Sequence, residues 1–187
     1  MKRLRILDAD IENRPLAYLG QGFTTSEVTA IAWCWVGYPK TIKVRVLGWY
    51  NGWYNGEMML REFVDDYNKA DMVTGHYIRN HDLPILNGAM MEYGLEPLSE
   101  KLTSDTKNDL LKRKDLSASQ ENLASMLGLP EMKAHMSNTN WREANRLTPE
   151  GLKLTAERAM SDVIQHMALR KELLKRGLLG PPRMWRP

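Results

Sequence analysis

A single cysteine, Cys34, is the only thiol in the chain. One cysteine closes no internal disulfide and builds no cysteine-based zinc site, so a reducing, cytoplasmic setting is expected. Its place inside the apolar run TAIAWCWVG makes it a candidate core residue and a poor candidate for a nucleophile. The sequence has no apolar stretch near the roughly 20 residues that span a bilayer, and its start has no signal-peptide apolar region, so no membrane association is expected. Charge of one sign is scarce as well. The 26 Lys and Arg stand against 23 Asp and Glu, a formal net charge of +3, which excludes a basic nucleic-acid coat yet tolerates a polyanionic partner. Repeats and low-complexity blocks are absent. What remains is an ordinary globular composition, 43% hydrophobic and 26% charged over 187 residues, a length that suits one domain spanning residues 1–187.

Apolar patterning predicts an α/β protein. LRILDADIE, EVTAIAWCWVG and TIKVRVLGW read as three strands of an antiparallel meander, the last two separated by the turn-forming YPK. MMLREFVDDYNKA places Met59, Phe63, Val64 and Tyr67 at helical spacing. DMVTGHYI reads as a fourth strand and DLPILNGAMMEYG as a helix closed by Gly94. KLTSDTKNDLL reads as a short fifth strand running into a helix, and SASQENLASMLGL as a short helix capped by Ser117 or Ser119. A long final helix starts at Thr148 with Pro149 in its first turn and ends at Gly177. The tail over 178–187, rich in Pro, is expected to be irregular.

The acidic residues hold the chemical signal. In RILDADIENRP, strand alternation sends Asp8, Asp10 and Glu12 to one face. Carboxylates gathered at the end of a buried strand repel one another and lose hydration, and a divalent metal is the usual compensation. A solvated strand end beside Lys2, Arg3 and Arg5 is the alternative. Asp82 follows a strand and opens a helix, where it suits either a site at the mouth of the sheet or a helix N-cap. Asp162 lies among Ala156, Ala159, Met160, Val163 and Met167, close to an apolar helix stripe, where a carboxylate is uncommon unless it is paired.

Taken in order, ILDADIEN, NHDLPIL and ERAMSDV resemble the three motifs of the DEDD (DnaQ-like) 3′–5′ exonucleases of the ribonuclease-H-like superfamily, over Leu4 to about Leu174. DIENRPLAY and VTAIAW further resemble small stand-alone nucleases encoded by bacteriophages. The resemblance implies a mixed five-stranded sheet flanked by helices. It also implies a site of Asp10, Glu12, Asp82 and Asp162 holding two Mg²⁺ or Mn²⁺ ions, with Asp10 bridging, and hydrolysis at the 3′ ends of DNA or RNA. Asp8 falls outside the motif pair.

One departure from the family stands out. Its water-orienting residue is a His five positions before the last Asp or a Tyr four before it, and those positions hold Glu157 and Arg158. Glu157 and His135 are therefore candidate bases, and Arg158 a candidate phosphate ligand. His166, one turn after Asp162, is read as a packed or surface histidine, and His76 and His81 as packing or substrate-touching residues. Lys107, Lys112, Arg113, Lys114, Arg14, Arg79 and Lys133 form a possible phosphate path or simply solvated faces. Trp49, Tyr50, Trp53 and Tyr54 surround two glycines, either as rings that stack on unpaired bases or as a packed cluster. The functional expectation is a metal-dependent exonuclease. Its alternative is a catalytically weak nucleic-acid-binding or polymerase-accessory module of the same fold.

Overall fold

The computed structural model describes residues 4–16, 26–49, 52–111, 115–130 and 133–187. Its centre is β1 (Ile6–Pro15), which pairs antiparallel with β2 (Ser26–Trp35), itself antiparallel to β3 (Lys43–Val46). This is the expected meander. On the other side β1 pairs in parallel with β6 (Met72–Gly75), and β6 in parallel with β7 (Lys101–Asp105). Parallel neighbours need crossovers, and helices supply them. These are α1 (Gly56–Lys69), capped by the Asn55 side chain, and α2 (Asp82–Glu92). After β7 come α3 (Gln120–Met126), capped by Ser119, α4 (Asn138–Arg146) and the 27-residue α5 (Pro149–Lys175), capped by Thr148.

Four details differ from the sequence expectation. The sheet has six strands, in the order β3-β2-β1-β6-β7-β8, because the tail supplies β8 (Arg183–Trp185) on the edge of β7. The segment is not irregular: Pro181 and Pro182 favour an extended chain, the Thr103 hydroxyl donates to the Arg183 carbonyl at 2.8 Å, and Trp185 is buried in the core. The third strand ends early, where Gly48 at φ +98° turns the chain into a separate hairpin of β4 (Gly48–Trp49) and β5 (Trp53–Tyr54). No helix follows β7 directly. Instead the buried Asp105 carboxylate accepts hydrogen bonds from the amides of Tyr77, Lys107 and Asn108 and holds a turn. Finally, α4 occupies what reads as a loop. Only Ala144 of that helix is buried, so no apolar stripe announces it, although Ser137 and Asn140 form a reciprocal cap.

Two helical layers cover the sheet. Leu7, Ala9 and Ile11 of β1 and Ile31 and Trp33 of β2 join Phe63, Tyr67 and Leu86 under α1 and α2, with Trp33 and Phe63 edge to face at 5.7 Å. Against the opposite face, Ala30, Ala32 and Cys34 of β2 and Val46 of β3 meet Leu152, Ala156, Ala159 and Val163 of α5. The small residues on both sides let α5 lie close to the strands. Strand alternation then directs Asp8, Asp10 and Glu12 toward α5, and that placement builds the site. Among the described residues no helix is long and apolar enough to cross a membrane.

Close approach also joins α4 to α5, since a Cβ on Gly151 would overlap the Glu143 carbonyl. Gly151→Ala is expected to destabilise the fold by about 2 kcal/mol, as overpacking against backbone does, and a urea unfolding midpoint checks it.

Candidate metal centre

Asp10 and Glu12 occupy alternate positions of β1, and a register shift after Glu12 ends their regular pairing with β2. Asp162 comes from the middle of α5. One carboxylate oxygen from each of Asp10, Glu12 and Asp162 lies within 4.8 Å of the other two. Asp82 stands beside this group and not within it: its Oδ1 accepts a hydrogen bond from the Ile11 amide at 3.1 Å. That contact replaces the capping role open to it from sequence, for Asp82 is the first helical residue and the N-cap position belongs to His81.

The cluster is electrostatically expensive. Burial, then the charges of Asp82, Asp162 and Glu12, push the Asp10 carboxyl well above the usual carboxylate range. Burial and the neighbouring Asp162 raise Glu12 to about 7. Burial also raises Asp162, with Lys133 and Arg158 opposing the rise. Those two cations lie against the acids. Arg158 Nε is 3.0 Å from Asp162 and 3.7 Å from Glu12, and its Nη1 donates to the Ala134 carbonyl at 2.6 Å. Lys133 Nζ lies 3.5 Å from Asp162 and 3.6 Å from Glu121. Even so, Asp162 Oδ1 is buried without a hydrogen-bond partner among the described residues. A bare buried carboxylate oxygen beside two more carboxylates is a donor set suited to a hard divalent cation.

Beneath the cluster, α5 is tied to β1 by a second pairing. The fully buried Asp8 carboxylate receives His166 Nδ1 at 2.7 Å and 2.8 Å, His166 Nε2 reaches the Thr106 hydroxyl at 2.9 Å, and that hydroxyl reaches His76 Nδ1 at 2.9 Å. Burial depresses His76 to about 4, so it stays neutral near pH 7. His166 is thereby committed to a partner. His135 is exposed, Glu157 is half-buried, and neither joins the carboxylate group. His81 stands 3.7 Å from Asp82, whose hydrogen bond raises the imidazole pKa.

The basic residues separate by context. Arg79 is bonded to the buried Asp109 at 3.0 Å and serves the fold. Arg14 pairs with Glu27, and Lys107 stacks over Tyr77 at 3.9 Å. Lys112, Arg113, Lys114 and Tyr50 lie outside the described residues. A salt bridge from Asp162 to a neighbouring Arg or Lys was an open alternative in the sequence, and Arg158, one turn before it, and Lys133 supply it; the contribution of Glu121 had no sequence signal.

Fold and site together define a ribonuclease-H-like α/β protein with an acidic cluster between its first strand and its last helix. No protein-family model matches the chain, and no curated protein sequence does. Among solved structures it is similar to the family B DNA polymerase from the hyperthermophilic archaeon Pyrobaculum calidifontis, at a TM-score of 0.65 and 16% identity over 92% of this chain and 25% of that one. The chain thus spans a quarter of that polymerase's length, and at this identity the likeness establishes the fold.

Two outcomes follow from the electrostatics. Because the folded Glu12 value of about 7 lies above its ordinary 4.5, the folded state holds an extra proton between those values, so stability falls as pH rises through that window. Without metal, the thermal midpoint should drop from pH 5 to pH 8, and Glu12→Gln should reduce the drop. His166→Ala, which leaves Asp8 buried without its donor, should cost about 3 kcal/mol in urea unfolding.

Proposed function

We propose that the chain is a metal-dependent 3′–5′ exonuclease that hydrolyses phosphodiester bonds of single-stranded DNA or RNA. The carrying observation is the approach of Asp10, Glu12 and Asp162 within 4.8 Å, with Asp162 Oδ1 buried and unpartnered. The resemblance of ILDADIEN, NHDLPIL and ERAMSDV to the DEDD exonuclease motifs and the shared fold with part of a DNA polymerase support the same reading. Asp10, Glu12, Asp82 and Asp162 would hold two Mg²⁺ or Mn²⁺ ions. When bound, such ions supply an acidified water and positive charge at the leaving oxygen. One domain acting in a cytoplasm, that of a host if the chain is phage-encoded, belongs to the same proposal.

The residues of the chain have the following work in this scheme. Asp82 holds the Ile11 amide and so fixes β1 between the two β1 ligands. Arg158 and Lys133 neutralise part of the acidic charge before ions arrive, and their cationic groups are within reach of a phosphate seated on the carboxylates. Arg158 also stands where the relatives carry Tyr, and it is engaged with both Asp162 and Glu12. That engagement favours a second reading, a nucleic-acid-binding or polymerase-accessory module with weak catalysis. His135 is exposed and removed from the group, so it is an auxiliary at most.

A 3′-labelled oligonucleotide incubated with and without Mn²⁺ separates the readings. Release of labelled mononucleotide only with Mn²⁺, abolished by Asp10→Asn and slowed no more than about a hundredfold by His135→Ala, is expected of the exonuclease. Intact substrate under all conditions would leave the binding module.

A further inference from the structure

The hairpin of β4 and β5 exposes two tryptophans that the catalytic scheme does not use. Trp49 is 74% exposed and Trp53 48%. They face each other across the two strands as a register pair, which puts both rings on one face of the hairpin. Among the described residues neither ring packs against another aromatic ring. Rings of this size are normally largely buried, so two adjacent open ones mark a binding surface.

The hairpin is held firmly. Gly48 brings the β4 backbone so close to α5 that an added Cβ would lie 3.3 Å from the Leu152 side chain. On the other strand the Tyr54 ring lies under the Arg45 guanidinium at 5.1 Å, and Arg45 bonds Glu62 of α1 at 2.7 Å. Asn55, directly after β5, caps α1. The platform is therefore fixed to the helices on both faces of the sheet, one of which carries Asp162.

Its position relative to the carboxylates follows from the register. Glu12 is opposite Ala30, and Ala30 is opposite Val46, so the hairpin leaves the sheet at the end where the acids gather, two strands away, or about 10 Å. Along α5, Leu152 precedes Asp162 by ten residues, about 15 Å. A stacked single strand covers that span in roughly four nucleotides at about 3.4 Å each.

We propose that Trp49 and Trp53 form a base-stacking platform for single-stranded nucleic acid, gripping it about four nucleotides 5′ of the end seated on the carboxylates. The placement of that end rests on the exonuclease reading; the stacking itself does not. Two ring faces are too small for a protein partner, since a stable interface needs about 800 Å² on each side. They match two consecutive bases, whose stacking is indifferent to sequence. The cation that the hairpin itself touches, Arg45 over Tyr54, is paired with Glu62, so this grip depends on stacking more than on counterion release and its salt dependence is shallow.

The test is fluorescence anisotropy of 5′-labelled oligothymidylates two to eight nucleotides long, in EDTA, with wild type and Trp49→Ala/Trp53→Ala. Without a divalent ion the carboxylates repel phosphates, so wild type should bind through the rings, and the double variant should lose about tenfold or more in affinity for the octamer. Trp49→Phe/Trp53→Phe should recover most of it. Equal affinity of wild type and the alanine variant for the octamer overturns the proposal, as does a gain with length that follows salt and not the rings. Mn²⁺-dependent cleavage is read separately. Trp-dependent binding without cleavage upholds the platform and removes the exonuclease, whereas cleavage without that dependence does the reverse.

Discussion

Mutual repulsion among Asp10, Glu12 and Asp162 is the constraint around which the molecule is arranged. Three carboxylates in one poorly hydrated space oppose the approach of α5 to the sheet, yet α5 buries its apolar face against β2 and β3. The chain meets the conflict in two ways. Ala30, Ala32, Ala156 and Ala159 make a close, well-filled contact between sheet and helix, so that burial of apolar surface drives the approach. Positive charge is then placed where the acids are, with Arg158 and Lys133 at the cluster, while His166 hydrogen-bonds Asp8 one step below it. The arrangement offsets part of the repulsion but keeps a bare oxygen on Asp162. A protein that needed only stability would do better with apolar residues here. Retention of the acids is the physical reason to look for a function at this place.

Much of the fold was legible in the sequence because its elements are strongly patterned. The three meander strands, α1, α2, α3 and α5 appear where alternation, helical spacing, the caps at Ser119 and Thr148 and the stop at Gly177 put them. The elements that escaped are those whose stability is not local. The three residues of β8 have no pattern of their own and exist because the edge of β7 is open and Trp185 finds a place in the core. Exposed α4 has no apolar stripe, and its cap is its only signal. Gly48 ends β3 through a backbone conformation that composition does not announce.

The site was legible in a similar measure. Alternation in DADIE brings Asp10 and Glu12 to one face, and the position of Asp162 beside an apolar stripe implied a partnered carboxylate. Asp82 was ambiguous between cap and ligand; in the structure His81 holds the cap position and Asp82 Oδ1 accepts from the Ile11 amide of β1. The cations were harder to foresee, because Lys133 comes from a connection whose path depends on the whole fold. The histidines were the least predictable, since burial and hydrogen bonding decide their roles: His166 is held by Asp8, burial keeps His76 neutral, and His135 is exposed and outside the carboxylate group.

Carboxylate cluster and tryptophan hairpin sit at one end of the sheet, joined by α5, which carries Asp162 in its middle and supports Gly48 near its start. The central claim is that the acids are a divalent-metal site. Crystals soaked in Mn²⁺ and measured by anomalous scattering test it most directly. The account predicts Mn²⁺ about 2.1 Å from oxygens of Asp10, Glu12 and Asp162, with the Arg158 and Lys133 cations withdrawn from Asp162. Manganese bound elsewhere only, with the Arg158 ion pairs intact, would contradict it.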